Sequence, residues 1–333
     1  MPGICVPWGD GELALTLPES WTLHQVASSH LRPAGPQWPE RVAGAIAQPV
    51  AGLSLEKLLA ARRGGRVVIV VEDLTRHSPL DQILPIILRE IDHAGFPRER
   101  IEIFFATGMH PPLDAGQARE KLGPEASKLA WRCNPWHEEN SFVSVGAVGG
   151  MDVRIDRGVA GADLRIIVSS VSPHLQAGFG GGYKMLLPGA ASRQTIMQLH
   201  RLGLGRSFSQ LVGSDGEGNV MRRAIDRAGA MIDANCGASF AVQYLLDEAD
   251  LPTSVAAGEP LPTQRMIAKQ CAVACGVLVN EPADVLVTNA HPRDYDLWQS
   301  FKSIPNTLWA ARPNGVVICL ARCEALSEGM KIP

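Results

Sequence analysis

The sequence lacks several features that would assign it to a special class of protein. It contains no run of about 18 or more uncharged apolar residues, so we expect no membrane-spanning helix. Its N-terminus has no basic stretch followed by an apolar one, as a secretory signal has. The formal net charge is only -3, so no overall field attracts nucleic acid or an acidic membrane. We therefore expect neither a nucleic-acid partner nor a membrane partner.

The cysteines also exclude more than they indicate. There are seven, an odd number, and they form no CxxC pair. A disulfide scaffold or a zinc ribbon is therefore disfavoured. Cys271 and Cys275 are four apart, as are Cys319 and Cys323, and both spacings are typical of small buried residues. This pattern favours a reducing compartment, and we expect the chain to be cytoplasmic.

What is present is an alternation of strand and helix patterns. Three continuous apolar runs, at 66–73, 101–108 and 164–171, predict buried parallel strands. Helical patterns follow, and that of 192–203 begins at Ser192, a favourable N-cap residue. The sequence thus predicts an α/β fold with a mostly parallel sheet.

The last third of the chain starts a second α/β unit. The segment 251–263 is rich in proline and small residues, and we expect it to cross the surface. An apolar helix, strands at 283–289 and 315–321 and a helix at 296–304 follow. These patterns predict three parts: an N-terminal cofactor-binding α/β domain (1–263), a connecting helix (264–280) and a partial, incomplete C-terminal α/β domain (281–333).

Polar clusters fall at or just after the predicted strand ends, where α/β proteins bind their ligands. They are Asp73–Arg76, Gly108–His110, Ser172–His174 and the loop leading to Lys184. Turn residues also belong at strand ends, so a single cluster has a structural explanation. Four clusters together, two of them with a histidine, favour a site.

The loop AGFGGGYKMLLPGAAS (177–192) is the most unusual segment. Gly180, Gly181 and Gly182 permit close backbone approach, as a flat cofactor or a phosphate requires, although a flexible loop has the same composition. Tyr183-Lys184-Met185 does not match a Walker loop, and the glycine spacing does not match the dinucleotide fingerprint.

Several side chains around this loop have two interpretations. Histidines such as His174 and His200 suit a transition metal or acid–base chemistry, but a single histidine is more often structural. Lys184 among apolar neighbours could be desolvated for amine chemistry, whereas a solvated lysine is the ordinary case. Gln299 and Lys302 share a helix face. Lys302 could join Arg76 in binding a carboxylate or could be a solvated helix charge.

These residues resemble the nickel-dependent lactate racemase family. The resemblance lies in the DLTR element, the Gly-x-His element, the segment PHLQAGFGGGYKMLLPGAASRQTIMQLH and the later DYDLWQSFK. It extends from GDGELALTLPES to about residue 323. Family members are expected to continue beyond the last residue of this chain by roughly half a domain, where a typical domain has ~100–200 residues.

The resemblance implies a racemase or epimerase of a small, lactate-like 2-hydroxy acid. It implies a nickel pincer nucleotide bound covalently to Lys184, with His200 as the nickel ligand and Asp73 and the three glycines beside the cofactor. His110 and His174 would be the paired acid–base residues of a hydride-transfer reaction. Arg76, Gln299, Lys302 and Trp298 would contact the substrate, and cofactor-biosynthesis enzymes would be partners. The sequence does not indicate the oligomeric state.

The sequence departs from the family pattern at three positions. His77 stands where many relatives have proline, Pro111 where arginine is usual, and Trp298 where lactate racemases have tyrosine. Two other functions stay open: a non-catalytic cofactor-binding homologue and a nicotinamide-dependent oxidoreductase. The failed glycine fingerprint counts against the second.

Overall fold

The computed structural model describes residues 3–204, 207–214, 216–294 and 296–323. Its described residues fall into two compact units. Of the described residues, the larger unit takes in 30–204, 213–214 and 216–275, and the smaller unit takes in 3–29, 207–212, 276–294 and 296–323.

The described part of the chain alternates between strands and helices. The strands are β1 (Ile4–Trp8), β2 (Gly11–Leu15), β3 (Val67–Val71), β4 (Ile101–Phe105), β5 (Ala130–Cys133), β6 (Phe142–Val148), β7 (Met151–Asp156), β8 (Leu164–Ser170), β9 (Pro173–His174), β10 (Gly178–Phe179), β11 (Ala238–Leu246), β12 (Pro252–Gly258), β13 (Ala283–Asn289) and β14 (Ala311–Leu320). The helices are α1 (Trp38–Ala47), α2 (Leu55–Ala60), α3 (Leu80–His93), α4 (Ala115–Ala126), α5 (Arg157–Ala160), α6 (Arg193–Arg201), α7 (Phe208–Leu211), α8 (Val220–Cys236), α9 (Pro260–Cys275), α10 (Leu297–Phe301) and α11 (Ser303–Thr307).

A six-stranded sheet in the order β12-β11-β8-β3-β4-β5 forms the centre of the larger unit. The strands from β11 to β5 are parallel, and β12 is antiparallel at one edge. The mostly parallel α/β fold predicted from the sequence is therefore confirmed.

Strand β3 is apolar throughout because helices cover both faces of the sheet. Successive side chains of a strand point to opposite faces. Val67, Ile69 and Val71 accordingly pack into one core with α1 to α4, whereas Val68 and Val70 pack into another with α6 and α8. The polar residues that follow β3 therefore begin only where the strand ends.

The prediction that 251–263 crosses the surface is wrong. Residues 252–258 form β12, which pairs with β11, and Ala256 and Ala257 are buried there. Proline and small residues are compatible with this position because Pro252 is the first residue of an edge strand, where a missing N–H removes no sheet hydrogen bond. The next proline, Pro260, begins α9.

The smaller unit contains the antiparallel hairpin β1–β2 and the parallel pair β13–β14, the two strands predicted near the end of the chain. The residues that belong to each unit differ from the predicted domains in two places. Residues 3–29 group with this unit, and α9, predicted as a connecting helix, groups with the larger unit. There Ile267 and Cys271 are fully buried. Among the described residues no helix is long and apolar enough to cross a bilayer.

Candidate active site

The polar clusters expected at strand ends follow three neighbouring strands of the central sheet. β3 lies between β4 and β8, and all three are parallel, so they end at the same edge. Asp73 and Arg76 follow β3, His110 follows β4 and His174 follows β8. The residues predicted to lie at strand ends therefore follow strands that end at one edge of the sheet.

Asp73 and His110 are within hydrogen-bond distance of each other at this edge of the sheet. His110 Nδ1 lies 2.6 Å from Asp73 Oδ2. A carboxylate can only accept, so Nδ1 donates and the neutral ring keeps Nε2 bare as a proton acceptor. Burial alone would raise the pKa of Asp73, but the hydrogen bond and charge of His110, with Thr75 and Arg76, hold it at about 2. Asp73 is therefore ionised and fixes the ring tautomer.

Asp73 also shapes the loop that follows it. Its Oδ1 accepts from the Thr75 N–H at 3.0 Å and from Thr75 Oγ1 at 2.5 Å, and its carbonyl accepts from the Arg76 N–H at 3.3 Å. Arg76 Nη1 donates to the Thr75 carbonyl at 3.1 Å. The loop holds Arg76 half-exposed, so its guanidinium is accessible to an anion.

His174 has the opposite hydrogen-bond arrangement from His110. Its Nδ1 accepts from the main-chain N–H groups of Gln176 at 3.3 Å and Ala177 at 3.1 Å. The proton of the neutral ring is therefore on Nε2. The two histidines predicted as an acid–base pair thus differ in their neutral tautomers: Nε2 is bare in His110 and protonated in His174.

The glycine loop owes its glycines largely to contacts within the protein. Gly181 and Gly182 have positive φ angles of 73° and 61°, which favour glycine. A Cβ on Gly181 would collide with Gln243 Oε1, and one on Gly182 would lie 2.9 Å from the Cβ of Gln264. At Gly180 the nearest atom to an added Cβ is 3.7 Å away. Of the three glycines predicted to contact a cofactor, only Gly180 has ordinary van der Waals space at that position.

Buried side chains from α8 and α9 hold the carbonyl groups of this loop. Arg222, which is 1% exposed, donates to the carbonyls of Ala177 and Phe179. Burial lowers its pKa to about 10. Gln264 Nε2 donates to the Gly180 carbonyl at 3.0 Å. A loop of this composition would be mobile in isolation, but these donors fix its main chain.

Lys184 lies in a 3₁₀ turn, Gly182–Met185, and is partly exposed between buried neighbours. The Tyr183 hydroxyl donates to Asp233 Oδ2 at 2.6 Å, and Arg165 lies 3.5 Å from the other Asp233 oxygen. Burial raises the pKa of Tyr183 above its ordinary value, and the charge of Asp233 adds to the shift. The residue before Lys184 is thus anchored to α8.

Gly229 on α8 offers a test of this anchor. A Cβ at Gly229 would collide with the Tyr183 ring, so we expect Gly229→Ala to displace the ring and to lower the free energy of unfolding by about 1–3 kcal/mol. Chemical denaturation would measure the change. The control is Gly44→Ala on α1, where an added Cβ meets no atom within 4 Å. A Gly229→Ala protein as stable as the wild type would contradict the anchor.

His200, on α6, has the hydrogen bonding of a metal-binding histidine. Its Nδ1 lies 2.8 Å from the Ile196 carbonyl, so Nδ1 donates and Nε2 is bare. Burial lowers the pKa of His200. The hydrogen bond to Ile196 opposes that shift, whereas the charges of Lys184 and His110 add to it. The neutral ring is the form that coordinates metals.

Within the described residues, no group of three or more His, Cys, Asp or Glu side chains could hold a metal ion. A metal at His200 would need its other ligands from a cofactor. The donors present suit the nickel pincer nucleotide expected from the sequence: a partly exposed amine at Lys184 and a bare imidazole nitrogen at His200. The charge of Lys184 acts on His200, so the two groups are within electrostatic reach.

The other predicted substrate residues belong to the smaller unit. Lys302 Nζ donates to Gln299 Oε1 at 2.6 Å, which confirms that the two residues share a face. Asp296 caps α10, its side chain accepting from the Gln299 N–H at 2.7 Å. Trp298 lies on the same helix, and its side chain is outside the described part.

Several residues that hold the site segments in place were not predicted from the sequence. Arg222 and Asp233 are on α8, Gln264 is on α9, Glu72 precedes Asp73, and Lys121 is on α4. Charged and amide residues on a helix are usually solvated, so no sequence signal distinguished these from surface residues. The apolar pattern of β3 could have identified Glu72, since it directly extends a fully buried strand.

A protein-family model matches more than half of the chain. Residues 8–210 match the lactate racemase N-terminal domain. The chain belongs to this family.

Two curated relatives extend the match beyond that domain. The chain is 26% identical over 293 residues to a lactate racemase of Lactiplantibacillus plantarum, with 85% of this chain and 65% of the relative covered. It is 26% identical over 332 residues to a lactate racemase of Thermoanaerobacterium thermosaccharolyticum, with 97% and 75% covered. The chain therefore spans about two thirds and three quarters of the lengths of these relatives.

Two solved structures share the fold. The lactate racemase apoprotein from Thermoanaerobacterium thermosaccharolyticum superposes with a TM-score of 0.84 at 24% identity, covering 97% of this chain and 75% of that one. A crystal structure of a Thermotoga maritima protein gives a TM-score of 0.64 at 18% identity, covering 82% and 67%. At these identities the two structures bear on the fold alone.

Proposed function

We propose that this chain is an isomerase that racemises or epimerises a small, lactate-like 2-hydroxy acid. The observation that carries the proposal is the Asp73–His110 pair, which leaves a bare imidazole nitrogen at the strand ends where the family resemblance requires a proton acceptor. The names of the relatives agree with this activity.

In the proposed site Lys184 holds a nickel pincer nucleotide covalently, and His200 Nε2 completes the nickel coordination. When bound, this group would supply the acceptor and donor of hydride at the substrate's C2 atom. Tyr183 and Arg222 serve the cofactor indirectly, because their hydrogen bonds fix the main chain on both sides of the glycine loop. The partners proposed with this cofactor are the enzymes that synthesise it.

His110 would take the proton of the substrate hydroxyl on Nε2, and Asp73 would stabilise the imidazolium ion that forms. His174, the other member of the proposed acid–base pair, presents an N–H at Nε2 and would donate to the substrate oxygen. One bare nitrogen and one N–H suit a reaction in which a hydroxyl oxygen loses its proton and later recovers one.

Arg76 would bind the substrate carboxylate, because its guanidinium can make two parallel hydrogen bonds to the two oxygens. Gln299 and Lys302 are the other proposed carboxylate contacts, and Trp298 is a further proposed substrate residue. The cysteines are all free thiols, which supports the cytoplasm as the proposed location.

The activity can be tested on protein co-expressed with the cofactor-making enzymes. We expect the loaded protein to interconvert the enantiomers of at least one acid in a panel of 2-hydroxy acids. Deuterium at C2 should be retained, since hydride transfer does not release it to solvent, whereas proton abstraction would exchange it. Protein expressed without those enzymes is the control.

A nickel- and cofactor-loaded protein that interconverts no member of the panel would reject the racemase. Cofactor uptake without turnover would favour a non-catalytic binding protein. Tight binding of free NAD with dehydrogenase activity would favour an oxidoreductase instead.

A further inference from the structure

Two charged side chains, one buried and one half-buried, flank the loop 73–78 and have no part in the mechanism above. Glu72 is 4% exposed at the end of β3. Lys121 reaches the loop from α4 and is half-buried. Burying a charge costs free energy unless hydrogen bonds compensate, so the contacts of both groups indicate what they do.

Glu72 ties the loop to the neighbouring strand. Its Oε1 accepts from the Ser170 N–H at 3.0 Å and from Ser170 Oγ at 2.7 Å, at the last residue of β8. Its Oε2 accepts from Ser78 Oγ, at the end of the loop. Burial raises the pKa of Glu72, and the hydroxyls of Ser78 and Ser170 and the charge of Arg76 oppose the shift. One carboxyl group thus spans two segments that carry proposed site residues.

Lys121 holds the same loop from the other side. Its Nζ donates to the Arg76 carbonyl at 2.6 Å and to the Ser78 carbonyl at 2.9 Å. Burial lowers the pKa of Lys121, and the charges of Glu72 and Asp73 oppose the shift. The loop has no sheet or helix ladder over these residues, so these side chains supply hydrogen bonds that regular structure would otherwise provide.

We propose that Glu72 and Lys121 are positioning residues that orient Arg76 toward the substrate carboxylate and hold Asp73 against His110, the residue proposed to face the substrate hydroxyl. This inference rests on the proposed function, since it assigns Arg76 to the carboxylate. The Arg76 side chain donates to the carbonyl and the hydroxyl of Thr75, within the same loop. Its direction therefore depends on the main chain that Lys121 and Glu72 hold.

Lys121→Met removes the two hydrogen bonds and retains a long apolar side chain. We expect the dissociation constant of the cofactor-free chain for a 2-hydroxy acid, measured by NMR titration with lactate, to rise about tenfold, because a site displaced by about 1 Å loses much of its affinity. In the loaded enzyme we expect KM to rise by a similar factor and kcat to change less. Lys128→Met, at an exposed lysine just after α4, is the matched control.

The Glu72 variants separate positioning from burial. In Glu72→Gln the side-chain oxygen can still accept from the two Ser170 donors, and the new amide N–H can donate to Ser78 Oγ. We therefore expect a dissociation constant for lactate within about twofold of the wild-type value. Glu72→Met has a similar length and no acceptor, and should behave like Lys121→Met. Rescue by glutamine distinguishes a hydrogen-bonding role from general destabilisation.

The two proposals fail in different ways. If the loaded protein does not racemise lactate or related acids but the tenfold difference in lactate affinity persists, the proposed function is rejected and the positioning role stands. If Lys121→Met and Lys128→Met bind lactate equally well, or if Glu72→Gln is as impaired as Glu72→Met, the positioning role is rejected.

Discussion

Replacement of Lys184 by alanine is expected to abolish covalent uptake of the cofactor. In the proposed attachment the Lys184 amine is the atom bonded to the cofactor, and no other side chain of the 3₁₀ turn carries an amine. After co-expression with the cofactor-making enzymes, intact-mass analysis should show an added mass on the wild type and none on Lys184→Ala. Nickel content should fall with it, because His200 alone cannot retain the metal.

The loss should not come from unfolding. The main chain at Lys184 is fixed by Tyr183 and by buried residues of the loop, and the lysine side chain is partly exposed. Lys269→Ala, at an exposed position of α9, is the control and should keep the added mass. A cofactor-sized mass on Lys184→Ala would show that another residue forms the bond and would overturn the assignment.

The fold was predictable where the sequence is uniform. The apolar runs at 66–73, 101–108 and 164–171 became β3, β4 and β8, because strands covered on both faces are mostly apolar. Ser192 was predicted as an N-cap, and its side chain accepts from the Thr195 N–H. The prediction of a surface crossing at 251–263 was wrong because residues 252–258 suit an edge strand as well as a loop.

The site was predictable as a location but not as a set of contacts. The predicted strand ends indicated Asp73 and His110 as site residues. These residues are 37 apart in sequence, and only the parallel pairing of β3 with β4 brings Asp73 Oδ2 and His110 Nδ1 to 2.6 Å. The apolar neighbours of Lys184 were identified correctly, since Tyr183 and Met185 are buried. The supporting hydrogen bonds depend on long-range packing, which a local pattern does not encode.

The glycine loop illustrates the same limit. From the sequence, its glycines were compatible with close approach to a flat cofactor or a phosphate, or with a flexible loop. The structure has protein side chains, Gln243 and Gln264, against Gly181 and Gly182. A positive φ and a close neighbour were correctly expected, but the identity of that neighbour depends on β11 and α9, more than 50 residues further along the chain.

Asp73→Asn is expected to lower the rate of racemisation by roughly 10²–10⁴-fold, the range associated with loss of a general base. The asparagine oxygen would keep the two Thr75 donors, and its amide would then face His110 Nδ1. An amide N–H can only donate, so Nδ1 must accept and the ring proton moves to Nε2. The nitrogen that should take the substrate's proton is then already protonated. Initial rates for both enantiomers would measure the loss.

The effect of Asp73→Asn on stability can be separated from its effect on the His110 tautomer, because the effect on stability depends on pH. The folded-state pKa of Asp73, about 2, is below its ordinary value of 3.8. Its ionised form therefore stabilises the fold fully above about pH 4, and this contribution disappears as the pH falls toward 2. The unfolding deficit of Asp73→Asn, measured by denaturant titration, should shrink over that window. The ring nitrogens of ¹⁵N-labelled His110 should report the changed tautomer at pH 7. A variant with an unchanged tautomer and an unchanged rate would exclude His110 as the base that Asp73 orients.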